Sequence, residues 1–321
     1  MADLRIGTSG WNYPSGRGTW NGVFYPPSRG RAKRFDELSY YAEHFNTVEV
    51  NSTFYGQPRP EVCRAWAQRT PSDFQFAVKL YQKFTHPRMY KQRFTRAAIA
   101  PAPADDALLD ALTKPNPSDL DDFKRGVEPL ASAGKLGPLL AQFPPSFKSG
   151  GASREYLEWL LRSLDQYAVA VELRHSSWSD ALGQTLSLLN AQGAALVQID
   201  EPKFRLSIAQ NQLPNVPTFY YMRLHGRNAA QWWSHETSED RYNYLYSEAE
   251  LQEFVDAVDA ARSIVKKAYL YTNNHFSAKS VANAAMIKKQ LGEPLEGEYS
   301  AAFLAQYPEL AGAARPARKL I

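Results

Sequence analysis

The stretch VAVELRHSSWSDALGQTLSLLNAQGAALVQID, residues 169–200, decides the fold. It opens on a short apolar run, Val169 to Arg174, whose β-branched residues suit an extended chain. From Asp180 to Gln192 the apolar residues recur at three- and four-residue spacing, the period of one helix face. A second apolar run, Ala194 to Asp200, follows. Two strands joined through a helix lie parallel, because parallel pairing needs a crossover connection.

The same alternation extends outward in both directions. Strand-like runs stand at Leu4–Gly7, Thr47–Asn51, Phe74–Lys79, Leu136–Phe143, Thr218–His225 and Ala268–Asn273, which with the two above makes eight. Between them, helical periodicity marks Phe35–Phe45, Arg59–Arg69, Leu120–Ala133, Arg154–Leu164, Ser247–Lys266 and Ser277–Leu291. Ser247 followed by Glu250 reads as a capping box, and Pro60 suits a helix start. Glu201–Pro217 carries no helical period and reads as a loop. Eight units favour a closed TIM-like (β/α)8 barrel over an open sheet. No glycine-rich dinucleotide fingerprint follows the first strand, so no nucleotide cofactor is expected.

The chain has 321 residues, 44% of them apolar and 22% charged, which is ordinary globular composition. We read residues 1–310 as one barrel domain, with 81–117 an insertion after strand three and 311–321 a frayed tail. One cysteine, Cys63, excludes an internal disulfide and fits a reducing compartment. No signal-like N-terminus and no apolar run long enough to span a bilayer is present, so a cytoplasmic location and no membrane partner are expected. Nothing in the sequence sets an oligomeric state.

Barrels of this type work at the C-terminal ends of their strands. Those ends carry Trp11; Glu49 and Asn51; Lys79; Gln142; Glu172 and Arg174; Asp200; Arg223 and His225; Asn273 and Asn274. Strand side chains alternate faces, so Glu49/Asn51, Glu172/Arg174 and Arg223/His225 each share a face. A structural ion-pair network would explain any one pair, but charges recurring on at least four strands are costly to bury without a ligand.

Glu49 and Glu172 are the candidate general base and acid, with His225 and Lys79 as further catalytic candidates. Arg174 and Arg223 match a phosphate or carboxylate, while Asn51, Gln142, Asn273 and Asn274 suit hydroxyl recognition. Trp11 and Trp178 are candidate stacking surfaces among the aromatic-rich loops. A metal held by Glu49, Glu172, Asp200 and His225 is disfavoured by the cations beside them, and no metal is expected.

Several of these residues fall in motifs that run along the chain in order: GTSGWNY at 7–13, FYP at 24–26, YYAEHFNTVEVNSTFY at 40–55, FAVK at 76–79 and TH at 85–86. They continue as LGPLLAQFPPSF at 136–147, VELRHSSW at 171–178, RLHGR at 223–227 and NNHFSA at 273–278. In these the sequence resembles the YecE-like family (domain of unknown function 72). The resemblance implies a TIM-like barrel and an intracellular protein, and no settled reaction.

Three functions follow as expectations. The first is an enzyme acting on a small anionic substrate, phosphorylated or carboxylated, by acid/base chemistry at the strand ends. The second is a nucleic-acid binding or processing protein: a net charge of +4 is too mild alone to imply it, but cations gather into two clusters. One is the basic knot Arg29, Arg31, Lys33 and Arg34. The other is the acid-free run Lys79, Lys83, Arg88, Lys91, Arg93 and Arg96, interleaved with Tyr81, Phe84, Tyr90 and Phe94. A solvated basic face is the plainer explanation of such a run. The third is a non-catalytic ligand-binding scaffold.

Overall fold

A computed structural model describes residues 2–27, 35–97, 113–210, 213–232 and 240–317. The basic knot at 29–34, the side chains of Phe94 and Arg96, and residues 98–112 of the expected insertion lie outside the described residues.

The strands are β1 (Asp3–Thr8), β2 (Thr47–Val50), β3 (Gln75–Lys79), β4 (Leu136–Gln142), β5 (Val169–Glu172), β6 (Ala195–Leu196), β7 (Gln198–Asp200), β8 (Phe219–Leu224) and β9 (Lys267–Thr272). Every pairing is parallel, as strand–helix alternation requires. The ladders form two sheets, β1-β9-β8-β7 and β2-β3-β4-β5-β6, instead of the single closed ladder expected from the sequence.

The division has a local cause at each seam. The run expected as one strand, Ala194–Asp200, breaks at Val197, whose N–H still reaches the Val171 carbonyl at 3.0 Å. Leu196 N–H donates to Asn215 Oδ1 at 2.7 Å and Ile199 N–H to Gln210 Oε1 at 2.9 Å. The helix-free loop after β7 thus satisfies the strand edges with side-chain amides.

At the other seam, between β1 and β2, the Tyr41 hydroxyl stands between the strands. It accepts from Thr8 N–H at 2.8 Å and donates to the Thr47 carbonyl at 3.1 Å. Gly7 permits this approach, because a Cβ there would lie 2.2 Å from Thr47 O and 2.9 Å from the Tyr41 hydroxyl. One parallel bridge, Ser9 to Glu49, continues the contact toward the strand ends.

Helices pack on the outer faces. The helix Glu248–Arg262 carries the Ser247/Glu250 capping box, and Pro60 opens the helix Pro60–Gln68. Phe84 and Lys83 are buried, so the first turn of the expected 81–117 excursion is part of the core. Within the expected tail, Tyr299 N–H donates to Arg315 O and Ala317 N–H to Tyr299 O, each at 2.8 Å, and Ala314 is buried. Among the described residues no helix is long and apolar enough to cross a membrane. Cys63 is buried and unpaired.

The Tyr41 hydroxyl is the most economical place to test the β1–β2 seam. Tyr41→Phe keeps the ring but strands two buried backbone groups, and should lower unfolding free energy by about 1–3 kcal/mol. A denaturant midpoint equal to wild type, at unchanged slope, would show that the hydroxyl does not join the strands.

Candidate functional site

Parallel pairing sets the C-terminal ends of β2, β3, β4, β5, β8 and β9 at one end of the sheets, and their last side chains meet there. Arg223, at the end of β8, is almost fully buried. Its Nη2 donates to Glu49 Oε1 at 2.7 Å, and its Nη1 to Glu172 Oε2 and to Gln142 Oε1, the latter at 3.0 Å. Glu49 and Glu172 are themselves fully buried.

Each carboxylate is further satisfied. Glu49 accepts from Ser9 Oγ and the Tyr221 hydroxyl, both at 2.8 Å, and from Asn51 Nδ2 at 3.3 Å. Glu172 accepts from Arg174 Nε at 2.7 Å. Arg174 continues to Glu201 Oε2 at 2.9 Å and to His225 Nε2 at 3.2 Å. The face-sharing pairs Glu49/Asn51 and Glu172/Arg174 therefore touch.

The electrostatics follow from this pairing. Burial alone would raise both carboxyls, but Arg223 outweighs it at Glu49, and Arg174 with Arg223 outweighs it at Glu172. Both end below the usual carboxylate range, Glu172 well below. Burial, reinforced by Arg223, pushes His225 down to about 4, so its ring is neutral at pH 7. Nε2 faces two guanidinium groups and accepts, which leaves the proton on Nδ1. The Asn273 side-chain amide lies 2.9 Å from Nδ1.

Above this layer lies a cleft of about 740 Å³. Four ionisable cations line it, namely Lys79, Arg174, Arg223 and Arg241, and among the described residues no Asp or Glu does. Asn51, Gln142 and Asn273 also face it. Its aromatic wall includes Trp11, edge-on to Trp66 at 5.5 Å, and His275, stacked on Tyr13 at 4.3 Å. Burial pushes His275 down to about 4, so it adds no charge.

Not every sequence candidate reaches the cleft. Trp178 is buried elsewhere, stacked on Phe147 with its Nε1 donating to the Phe147 carbonyl at 2.8 Å, so its flat face is already covered. Asn274 donates to Tyr244 O and Asn283 Oδ1 beneath the surface. Glu49, Glu172 and His225 lie behind the arginines and do not line the space. Asp200 is engaged by Arg227 and by the Tyr246 hydroxyl, apart from the other acids once considered with it as metal ligands.

The sequence reading missed Glu201, Tyr221, Arg241 and Tyr242. Tyr221 shares the strand face of Arg223 and His225, so alternation alone would have found it. Arg241 and Tyr242 sit in a short 3-10 turn with no periodic signal.

A fold of parallel sheets with outer helices and a cationic cleft at the strand ends defines the class: an α/β protein with a ligand-sized site. The model of the family described as "Protein of unknown function DUF72" matches residues 5–306, and the chain belongs to that family. It is 28% identical over 309 residues to the UPF0759 protein YunF of Bacillus subtilis, covering 92% of this chain and 96% of that one. It is 31% identical over 154 residues to the UPF0759 protein YecE of Escherichia coli, covering 48% and 46%. A crystal structure of a DUF72 protein from Thermotoga maritima superposes with a TM-score of 0.70 at 32% identity, covering 91% of this chain and all of that one. One from Enterococcus faecalis, at 22% identity and a TM-score of 0.72, shares the fold.

Removing Arg223 tests the buried network. Arg223→Met leaves Glu49 without its closest cation and Glu172 with Arg174 alone, and should cost about 3–5 kcal/mol at pH 7. The unpaired carboxyls would then take up protons, so the deficit should shrink as pH falls toward 4. Wild type should behave differently. His225 titrates at 6.5 when exposed and about 4 when folded, so stability erodes from about pH 6.5 downward. The two carboxylates add their loss below about pH 4.5. Chemical denaturation of both proteins across that range gives the curves; a deficit independent of pH would contradict the pairing.

Proposed function

We propose that this protein is an enzyme that binds a small phosphorylated or carboxylated molecule in the cleft and acts on it by proton transfer, on a (β/α)8-type scaffold in which the two sheets work as one wall. The observation that carries this reading is the sorting of charge: the ionised side chains facing the cleft are cations, and the carboxylates stand behind them. Fork-shaped guanidinium groups suit phosphate or carboxylate oxygens, and Arg174 and Arg241 are the partners we assign to them. Asn51, Gln142 and Asn273 take hydroxyl groups. The Asn51 amide oxygen is buried and unpaired, as a group awaiting a ligand donor would be.

Proton transfer falls to Lys79. Burial and the field of Arg223 lower its ammonium to about 7, where an amine can both take and give a proton near neutrality. Glu49 and Glu172, ionised and screened by arginine, serve as counter-charges, and His225 fixes Arg174.

The nucleic-acid reading draws less support. Lys83 is buried and paired with Asp119 at 2.7 Å, Phe84 lies in the core, and Arg93 donates to the Tyr55 carbonyl. Lys83 and Arg93 of that basic run are thus already engaged, and Phe84 is not free to stack on a base.

Thermal-shift screening of sugar phosphates, nucleotides and di- and tricarboxylates should yield stabilisers whose effect Arg174→Ala removes. A ligand at 100 times its dissociation constant should add about 2.7 kcal/mol. Tight binding of oligonucleotides alone would turn the reading to nucleic acid. Stabilisation without turnover would leave a binding scaffold, and no stabiliser at all would contradict the anion site.

A further inference from the structure

Several lysines elsewhere in the described structure have partners for their ammonium groups. Lys83 pairs with Asp119, Lys135 donates to Ala67 O at 2.6 Å and Thr70 O at 2.7 Å, Lys279 to Asn243 Oδ1 at 2.6 Å, and Lys289 to Glu248 Oε1 at 2.9 Å. Lys79 differs. It ends β3, half-buried, in the wall of the cleft, and among the described residues its Nζ makes no hydrogen bond and no ion pair. Its Nζ lies over the face of the Phe54 ring, 4.3 Å from the centroid.

Nearby carboxylates do not rescue the charge. Glu49 and Glu172 favour protonation of Lys79, but each is committed to arginine, and Arg223 and Arg174 oppose it. The Phe54 face favours the cation, but burial and the two guanidinium groups outweigh it. The result is an amine close to its neutral form at pH 7, facing a cleft whose wall also carries Arg174, Arg241 and the rings of Trp11, Phe54 and Tyr55.

We propose that Lys79 is a nucleophile that condenses with the aldehyde or ketone carbon of an anionic substrate to form an imine. This rests on the anion reading of the cleft and replaces the acid–base role of Lys79 with a covalent one, since it names a carbonyl compound as the substrate class. The amine lone pair forms the N–C bond while the carbonyl π pair moves to oxygen. One N–H proton passes through cleft water to that oxygen, giving a carbinolamine. Loss of the hydroxyl together with the second N–H proton releases one water and leaves the C=N bond. Protonated, that bond draws electrons from the adjacent carbon, which is the chemistry of carbon–hydrogen or carbon–carbon cleavage beside a carbonyl. Arg174 and Arg241 stand in the same wall to hold the phosphate or carboxylate of such a substrate.

Pyridoxal 5′-phosphate, an aromatic aldehyde bearing a phosphate, serves as the probe. Full-length protein is incubated with it, reduced with borohydride and mapped by peptide mass spectrometry from pH 6 to 9. In parallel, calorimetry measures binding of pyridoxine 5′-phosphate, in which an alcohol replaces the aldehyde. The expected label falls on Lys79, more than about tenfold faster at pH 7.5 than on surface lysines, whose amines titrate near 10.4. Its rate should rise through about pH 7, and Lys79→Arg should abolish it while retaining a cation. Mapping the wild-type chain decides the matter even if that variant folds poorly. If the alcohol binds but the aldehyde labels other lysines or none, the imine is overturned and the anion site stands. If neither binds, both readings fail.

Discussion

Arg223 reaches from the four-stranded sheet to two carboxylates of the five-stranded one, Glu49 on β2 and Glu172 on β5. Among the described residues no hydrogen-bonded ladder runs continuously around the nine strands, so contacts of this kind hold the two sheets in register at the C-terminal ends of their strands. A buried guanidinium, or a buried carboxylate, is costly on its own and is tolerated only when its hydrogen-bonding capacity is met. Here the capacity is largely met: Ser9, Tyr221 and Asn51 complete Glu49, Arg174 completes Glu172, and Gln142 shares Arg223. The geometry of the floor is thereby fixed before any ligand arrives.

That floor determines what the cleft presents. Because the carboxylates are engaged from behind, the side chains lining the cleft include Arg174, Arg223 and Arg241, and Lys79, over the Phe54 ring in the same wall, makes no ion pair among the described residues. The same arrangement makes His225 a poor proton carrier and a good support, since its neutral ring accepts from Arg174 and is oriented by Asn273. Charge that looks catalytic in a strand-end inventory is, once folded, divided between groups that hold the site and groups that face it.

Alternation of strand and helix made the parallel α/β fold legible, and period-two alternation made the face-sharing pairs legible, because both are properties of the local chain. What the sequence could not show depends on distant partners. Asn215 and Gln210 cap a broken strand, and Tyr41 joins β1 to β2 through one hydroxyl. Trp178 reads as a stacking surface, yet Phe147, thirty-one residues earlier, already covers it. Glu49 and Glu172 read as acid and base because an isolated strand end does not reveal the arginine that three-dimensional pairing brings to it. The acid-free run from Lys79 onward was similarly ambiguous until Asp119 appeared beside Lys83.

The state of the two buried carboxyls tests the account most directly. Carbon-13 NMR of side-chain carboxyl resonances, assigned with Glu49→Gln and Glu172→Gln variants, follows each group through a pH titration of the folded protein. Both signals should keep the shift of an ionised carboxylate from pH 8 down to the onset of acid unfolding. A carboxyl that titrates between pH 5 and 8 would be a working acid or base, and would contradict a cleft whose carboxylates are only counter-charges to Arg223 and Arg174.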